Sequence, residues 1–298
     1  MRMTRLTRRD FAMLGAAAAL APFAALAEEP HLKRAIPSSG EALPAVGLGT
    51  AQVFDTDSAE TRAAAGQVVA ALVAGGGTLI DTASVYRDAE LVLGQVIGAA
   101  IRRDKVFIAT KLEAPDADEL KRSLARLKTV SVDLLQLHNV RGSQQSLAQF
   151  RDWKAQGLCR YVGITSTYHG DFGAVEAVLG REKPDFVQID YSLDDREAER
   201  RILPLAAEVK AAVLTALPFG RARLLRATRD RALPDWAKDF APSWAQFFLK
   251  WLLADARVTA VIPGTSNAAH MSDNLGAMRG RLPTPDERQR MVAFVAGL

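Results

Sequence analysis

Four residues in the first half of the chain carry side chains whose chemistry is complementary: Asp81, Tyr86, Lys111 and His138. A phenol, with a pKa near about 10, is a poor acid or base at neutral pH, but a neighbouring ammonium stabilises the phenolate and eases loss of the proton. Lys111 can supply that charge, and Asp81 can keep Lys111 charged and oriented. His138 can donate a hydrogen bond to the same oxygen that Tyr86 would protonate. Such a set is suited to polarising a carbonyl. Taken singly, each residue has an ordinary explanation: a strand-end Asp caps a turn, a loop Tyr packs on a surface, and a lone His is most often a satisfied core residue. Their placement argues otherwise. Asp81 ends the run Leu79-Ile80-Asp81, Tyr86 lies in the loop that follows, and Lys111 and His138 end the next two strand candidates.

The elements that position them alternate along the chain. Short β-branched runs at 46–52, 78–82, 106–111, 132–138, 161–165, 186–191, 212–217 and 258–263 are separated by helical stretches at 58–74, 90–101, 116–127, 146–156, 171–179, 197–210, 243–254 and 268–278. Gly75-Gly76-Gly77, Gly157 and Gly180 stand at helix ends, where left-handed backbone is wanted. Eight βα units predict an α/β fold, a closed (β/α)8 TIM barrel forming one domain over residues 28–298. An open doubly wound sheet would carry a GxGxxG loop after its first strand, and none follows Gln52. Barrel active sites lie at the C-terminal ends of the strands, which is where the four residues fall. Residues 33–43 predict a hairpin under the barrel, and 283–298 a final helix.

In the last unit, Gly264, Thr265, Ser266 and Asn267 precede a helix whose first amides suit a phosphate, with an ordinary Asn cap as the alternative. Taken in order, DTASVY, ATKL, SLARLKTVSVDLLQLH, GIT, QIDYSL and IPGTSNAAHMSDNLGA resemble the motifs of the aldo-keto reductases. The resemblance implies that Asp81, Tyr86, Lys111 and His138 are a catalytic tetrad, that NADP(H) is the preferred cofactor with NAD(H) possible, and that Tyr86 protonates a carbonyl as hydride arrives. It also implies that Thr165, Ser166 and Gln188 hold the nicotinamide amide and that Asp273 and Asn274 contact adenine. Three positions depart from the pattern. Asn267 and His270 stand where the family often has Lys and Arg facing the 2′-phosphate, and Ala216 stands where an aromatic ring often stacks on nicotinamide, leaving Phe219 to fill in.

Phe54, Val85 and the loop 218–242 are the expected walls of an apolar pocket for small aldehydes, ketones or alcohols, and Arg221 and Arg223 are candidate pyrophosphate clamps. A metal-dependent hydrolase would need clustered ligands, whereas His31, His138, His169 and His270 lie in separate segments, so no metal is expected. Cys159, the single cysteine, reads as a structural thiol. A second functional class is open: an exported nucleotide-binding subunit that senses redox state and turns over little.

The net charge of +4 sits mostly in the first 27 residues, which hold four arginines against one aspartate, so the rest of the chain carries only +1. A near-neutral body with no basic run argues against nucleic acid as a partner. Those first residues have a signal-peptide layout: Arg8-Arg9-Asp10-Phe11, an Ala/Leu-rich stretch, then Ala25-Leu26-Ala27 before Glu28. The arginine pair resembles the twin-arginine signal. It implies handling by the Tat export machinery, cleavage after Ala27 and a periplasmic product. The apolar stretch is short and interrupted by Pro22, so no stable membrane anchor is expected.

Overall fold

The computed structural model describes residues 31–99 and 101–298; the segment read as an export signal lies outside the described residues. Two short strands, β1 (Lys33–Ala35) and β2 (Ala42–Pro44), pair antiparallel as the expected hairpin. Eight parallel strands follow: β3 (Leu48–Gly49), β4 (Leu79–Asp81), β5 (Phe107–Leu112), β6 (Val132–Leu137), β7 (Cys159–Ser166), β8 (Phe186–Asp190), β9 (Ala212–Ala216) and β10 (Ala260–Val261). Each pairs with its neighbour in sequence. The ring is joined by bridges from Val46 to Val261 and from Gly49 to Gly264, with Gly47 N donating to Val261 O at 2.8 Å and Val261 N to Ala45 O at 2.9 Å.

The helices are α1 (Ala59–Ala74), α2 (Ala89–Val96), α3 (Ala117–Arg126), α4 (Ala148–Ala155), α5 (Phe172–Glu182), α6 (Ile202–Glu208), α7 (Arg223–Ala227), α8 (Trp244–Leu253), α9 (Ala268–Leu275) and α10 (Pro285–Ala296). Two boundaries differ from the expected ones for identifiable reasons. The stretch 197–210 divides into a 3-10 turn at Glu197–Glu199 and then α6, because Pro204 has no N–H and is tolerated only in a helix's first turn. Gly180 lies inside α5; the helix runs on to Glu182 and is ended by Lys183, left-handed at φ 46°, immediately before Pro184. Among the described residues, no helix is long and apolar enough to cross a membrane.

Side chains alternate along each strand, so every second residue enters the barrel. Leu79, Phe107, Leu134, Tyr161, Phe186, Ala212 and Ala260 form a buried apolar layer together with Ile36 and Leu43 of the hairpin. Phe107 and Tyr161 stack at 5.9 Å, and the Tyr161 hydroxyl is tied to Ser39 at 2.7 Å and Glu41 at 2.6 Å, which clamps the hairpin across this end. The helices cover the outer faces of the strands in a second, larger core. The Cys159 thiol is buried, and burial pushes its pKa up to about 12, as suits a structural thiol.

Helix α2 approaches α3 so closely that a Cβ on Gly94 would lie 2.0 Å from the Arg126 carbonyl oxygen, whereas one on Gly66 of α1 would meet nothing within 4 Å. Gly94→Ala is therefore expected to cost about 1–3 kcal/mol. Gly66→Ala is expected to add about 1 kcal/mol through helix propensity. Urea unfolding of both variants checks the contrast.

Candidate active site

Farther toward the C-terminal ends of β4 to β8, inward residues turn polar: Asp81 on β4, Lys111 on β5, Gln136 on β6, Thr165 on β7 and Gln188 and Asp190 on β8, all buried. Lys111 Nζ lies 2.6 Å from Asp81 Oδ2, 2.8 Å from the Thr82 carbonyl and 3.3 Å from Tyr86 Oη. An ammonium has three protons, and here all three have acceptors. Burial disfavours the charge, but the Asp81 carboxylate and Tyr86 outweigh it and hold Lys111 above the usual lysine range. For Asp81, burial pushes upward against the pull of Lys111 and the amides of Gln188 and Gln136. The 2.6 Å contact and the two amide donors make the charged pair the form we adopt.

Tyr86 is brought to Lys111 by the loop after β4. Its turn is closed by Tyr86 N donating to Ala83 O, and the loop is pinned to β5 by Ser84 N donating to Lys111 O, both at 3.1 Å. Glu119 of α3 braces the same loop, accepting from the Ser84 hydroxyl at 2.5 Å and from Glu113 N at 3.1 Å. His138 meets Tyr86 edge-on, with ring centroids 5.8 Å apart, and its Nδ1 is 2.5 Å from Glu113 Oε1. Burial, Lys111 and Arg141 lower its pKa to about 3. The Glu119 carboxylate pulls the other way as the smallest of these influences, so His138 is neutral near pH 7. The structure thus brings Asp81, Tyr86, Lys111 and His138 into one cluster.

Residues expected to hold a nucleotide lie on β7 and β8 and in and just before α9, in varied states. The Thr165 hydroxyl has no partner among the described residues, while Ser166 Oγ donates to Asp171 and accepts from Tyr168 N. Gln188 accepts from Gln136 at 2.9 Å and donates to Asp81 at 3.3 Å. Thr265 Oγ1 takes Asn267 N, and Asn267 caps α9 by accepting from Ala269 N and His270 N, so the cap is self-satisfied and a phosphate there is left with other donors. Ser266 and His270 are exposed and Asn274 is buried. Asp273 accepts from Ser243 and Gln246, tying α9 to α8. Gly264 fits close to the first strand, its Cβ position lying 3.3 Å from the Gly49 carbonyl oxygen. Gly220, Arg221 and Ala222 are consecutive left-handed residues at φ 55°, 53° and 64°. Such backbone persists only where its surroundings enforce it.

One expectation needs correction, and three others meet contacts that bear on them. Phe54 has no exposed surface and packs in the outer core, so it is not an open pocket wall, whereas Val85 stands 49% exposed beside Tyr86. Phe219 turns its ring edge-on to Phe248 at 6.5 Å. Arg223 is engaged by Asp194 at 3.0 Å. The histidines are not all isolated from acids: His169, Asp190 and Asp195 place donor atoms within 4.8 Å of one another, a set with the composition of a metal-binding group.

Sequence reasoning missed Glu113, Gln136 and Asp190. The signal was the strand period: each stands two residues from a recognised one, Lys111, His138 and Gln188 respectively, and so shares its face.

The aldo/keto reductase family model matches residues 45–293. The chain belongs to that family. As an aldo/keto reductase it is an oxidoreductase, and it is 30% identical to a methylglyoxal reductase, YeaE, of Escherichia coli over 271 residues, 85% of this chain and 92% of that protein. An aldo-keto reductase from Klebsiella pneumoniae in complex with NADPH superposes with a TM-score of 0.73 at 25% identity, covering 88% of this chain and 95% of that one. Another from the same organism, with NADP and acetate, gives 0.70 at 27% identity over 87% and 94%.

Burial, reinforced by the nearby Asp195 carboxylate, pushes Asp190 up to about 6, so between its ordinary value of 3.8 and 6 the folded state binds more protons than the unfolded chain. Ionised Asp190 therefore destabilises this reductase above that window. Asp190→Asn is expected to raise stability at pH 7 by up to about 3 kcal/mol, and the gain should vanish below about pH 4. Denaturant midpoints at pH 7 and pH 4 test this, and an equal gain at both would refute it.

Proposed function

We propose that this protein is an exported NADP(H)-dependent carbonyl reductase in which Tyr86 is the general acid. The observation that carries the reading is the engagement of Lys111. Its third proton goes to Tyr86 Oη at 3.3 Å, so the phenol oxygen is an acceptor on that side and its own proton is left to point elsewhere. A carbonyl oxygen within reach would receive that proton, and the ammonium would stabilise the phenolate left behind until solvent reprotonates it. A bound nicotinamide nucleotide supplies the hydride to the carbonyl carbon.

The chain's own residues fit such a cofactor by donor type. The unpartnered Thr165 hydroxyl suits a carboxamide, and exposed Ser266 and His270 lie at the start of α9, where backbone amides can meet a phosphate. The NADP(H) complexes of the Klebsiella relatives support NADP(H) over NAD(H). The E. coli relative's activity on methylglyoxal supports short aldehydes and ketones as the substrate class.

Export follows from the Arg8-Arg9 signal, with cleavage after Ala27 and a periplasmic product. Nicotinamide nucleotides are not expected to be recycled freely there. A Tat substrate crosses folded, so the cofactor would travel bound, and a second substrate would regenerate it in place.

Tyr86→Phe is expected to lower kcat for methylglyoxal reduction by about 100-fold or more while leaving NADPH affinity, read by fluorescence titration, within about twofold. A kcat that does not change would remove Tyr86 from the chemistry. Protein recovered from the periplasm should begin at Glu28 and release stoichiometric NADP(H) on denaturation; an intact N-terminus or an empty protein would count against export with bound cofactor.

A further inference from the structure

The chain leaving β7 and β8 brings three donor side chains together. His169 opens the 3-10 turn His169–Asp171, Asp190 ends β8, and Asp195 follows in the next loop. One ligand atom from each, an imidazole nitrogen and two carboxylate oxygens, lies within 4.8 Å of the other two. His169 Nε2 and Asp195 Oδ2 are already 3.0 Å apart. The backbone holds both in place: Ser192 and Asp195 exchange N–H···O bonds at 3.0 and 3.1 Å, and Asp171 accepts from Ser166 Oγ at 3.1 Å. A His–Asp contact at the surface is by itself an ordinary pair. Asp190 sets this group apart. It is only 8% exposed, and among the described residues its carboxylate has neither a hydrogen bond nor an ion-pair partner. Arg221 and Arg223 act on it only through space, and Arg223 is bound to Asp194 at 3.0 Å. A buried carboxylate is costly without a counter-charge, and the groups gathered around this one are themselves metal ligands.

We propose that His169, Asp190 and Asp195 bind a divalent first-row transition ion, with Zn2+ the best fit, and that the ion clips the loop after β7 to the loop after β8. The donor set decides the class of ion. One imidazole with two carboxylates suits Zn2+ and its neighbours in the row, whereas Mg2+ and Ca2+ take oxygen ligands. Two carboxylates beside a neutral imidazole also cancel the charge of a divalent ion. Ligand bonds of about 2.1 Å place tetrahedral donors about 3.4 Å apart, so modest side-chain rotations close the set, and the His169 side chain, 43% exposed, has room to turn. Three protein ligands leave the fourth position of a tetrahedral ion to water. The site uses neither Tyr86 nor Lys111, and it does not rest on the carbonyl-reductase reading.

Isothermal titration of ZnCl2 into the purified protein at pH 7, after treatment with a chelator and dialysis, tests the site. One ion per chain is expected to bind at micromolar concentration. Tm should rise by about 5 °C when Zn2+ is present at about a hundredfold excess over its Kd, and MgCl2 at the same concentration should leave Tm unchanged. His169→Ala, Asp190→Asn and Asp195→Asn are each expected to weaken Zn2+ binding by about 100-fold or more, beyond what loss of an outer-shell partner costs. His169 lies at the surface and Asp190→Asn removes an unpaired buried charge, so both variants stay folded without metal and their loss of binding reports a lost ligand. Stoichiometric binding that survives in either of these two variants places the ion elsewhere and overturns the proposal. Equal affinity for Mg2+, or no binding below millimolar Zn2+, overturns it as well.

Discussion

Lys111 and Asp81 have almost no contact with water and sit 2.6 Å apart inside the barrel. Neither charge is tolerable there alone: removing one partner of such a pair typically costs about 3–5 kcal/mol because the other is left buried and uncompensated. The pair also sets requirements on its neighbours. Asp81 has lone pairs that Lys111 does not fill, and the amides of Gln136 and Gln188 reach its Oδ1 and Oδ2 from β6 and β8. Lys111 has protons that Asp81 does not fill, and the Thr82 carbonyl and Tyr86 take them. Four strands must therefore hold their register for one ion pair to be satisfied, and Tyr86 is recruited to the site as part of that satisfaction.

The floor beneath this layer matters as much as the layer. Phe107, Tyr161 and Phe186 fill the barrel with apolar rings, and the hairpin strands β1 and β2 lie across the far end. Water is kept from one side of the polar cluster, so the ammonium, the phenol and the imidazole act on one another through a medium of low polarisability. The downward pull on His138 and the upward push on Asp190 share that origin, since burial is the largest influence on each.

Much of this was legible in the sequence, for a physical reason. Strand and helix alternation is local, and short apolar runs such as Val132–Leu137 announce themselves; so do polar residues that end them, which is why Asp81, Lys111 and His138 could be picked out. Partners that depend on which face a residue occupies were not legible in the same way. Gln136 sits within Leu-Leu-Gln-Leu and reads as an interruption until the strand is counted by twos. Asp190 lies just ahead of the acidic run at 194–195, and Glu113 among charges that read as solvated surface. Phe54 shows the converse error: an aromatic just past a strand end has the right composition for a pocket wall, but its burial depends on how the chain turns at Thr50 to Val53, which composition does not encode.

The barrel is closed by hydrogen bonds between residues 45–49 and residues 261–263, more than 200 positions apart. Until the last strand is available, β3 lacks its second neighbour, and the ring is an open curl with two unpaired edges. During synthesis the first barrel strand emerges early and must wait for nearly the whole chain before its outer edge is covered. Contacts of such long range form slowly because so much loop entropy must be lost before they are made. The nascent chain therefore spends most of its time on the ribosome with an exposed strand edge, which makes the interval before closure the period of greatest aggregation hazard.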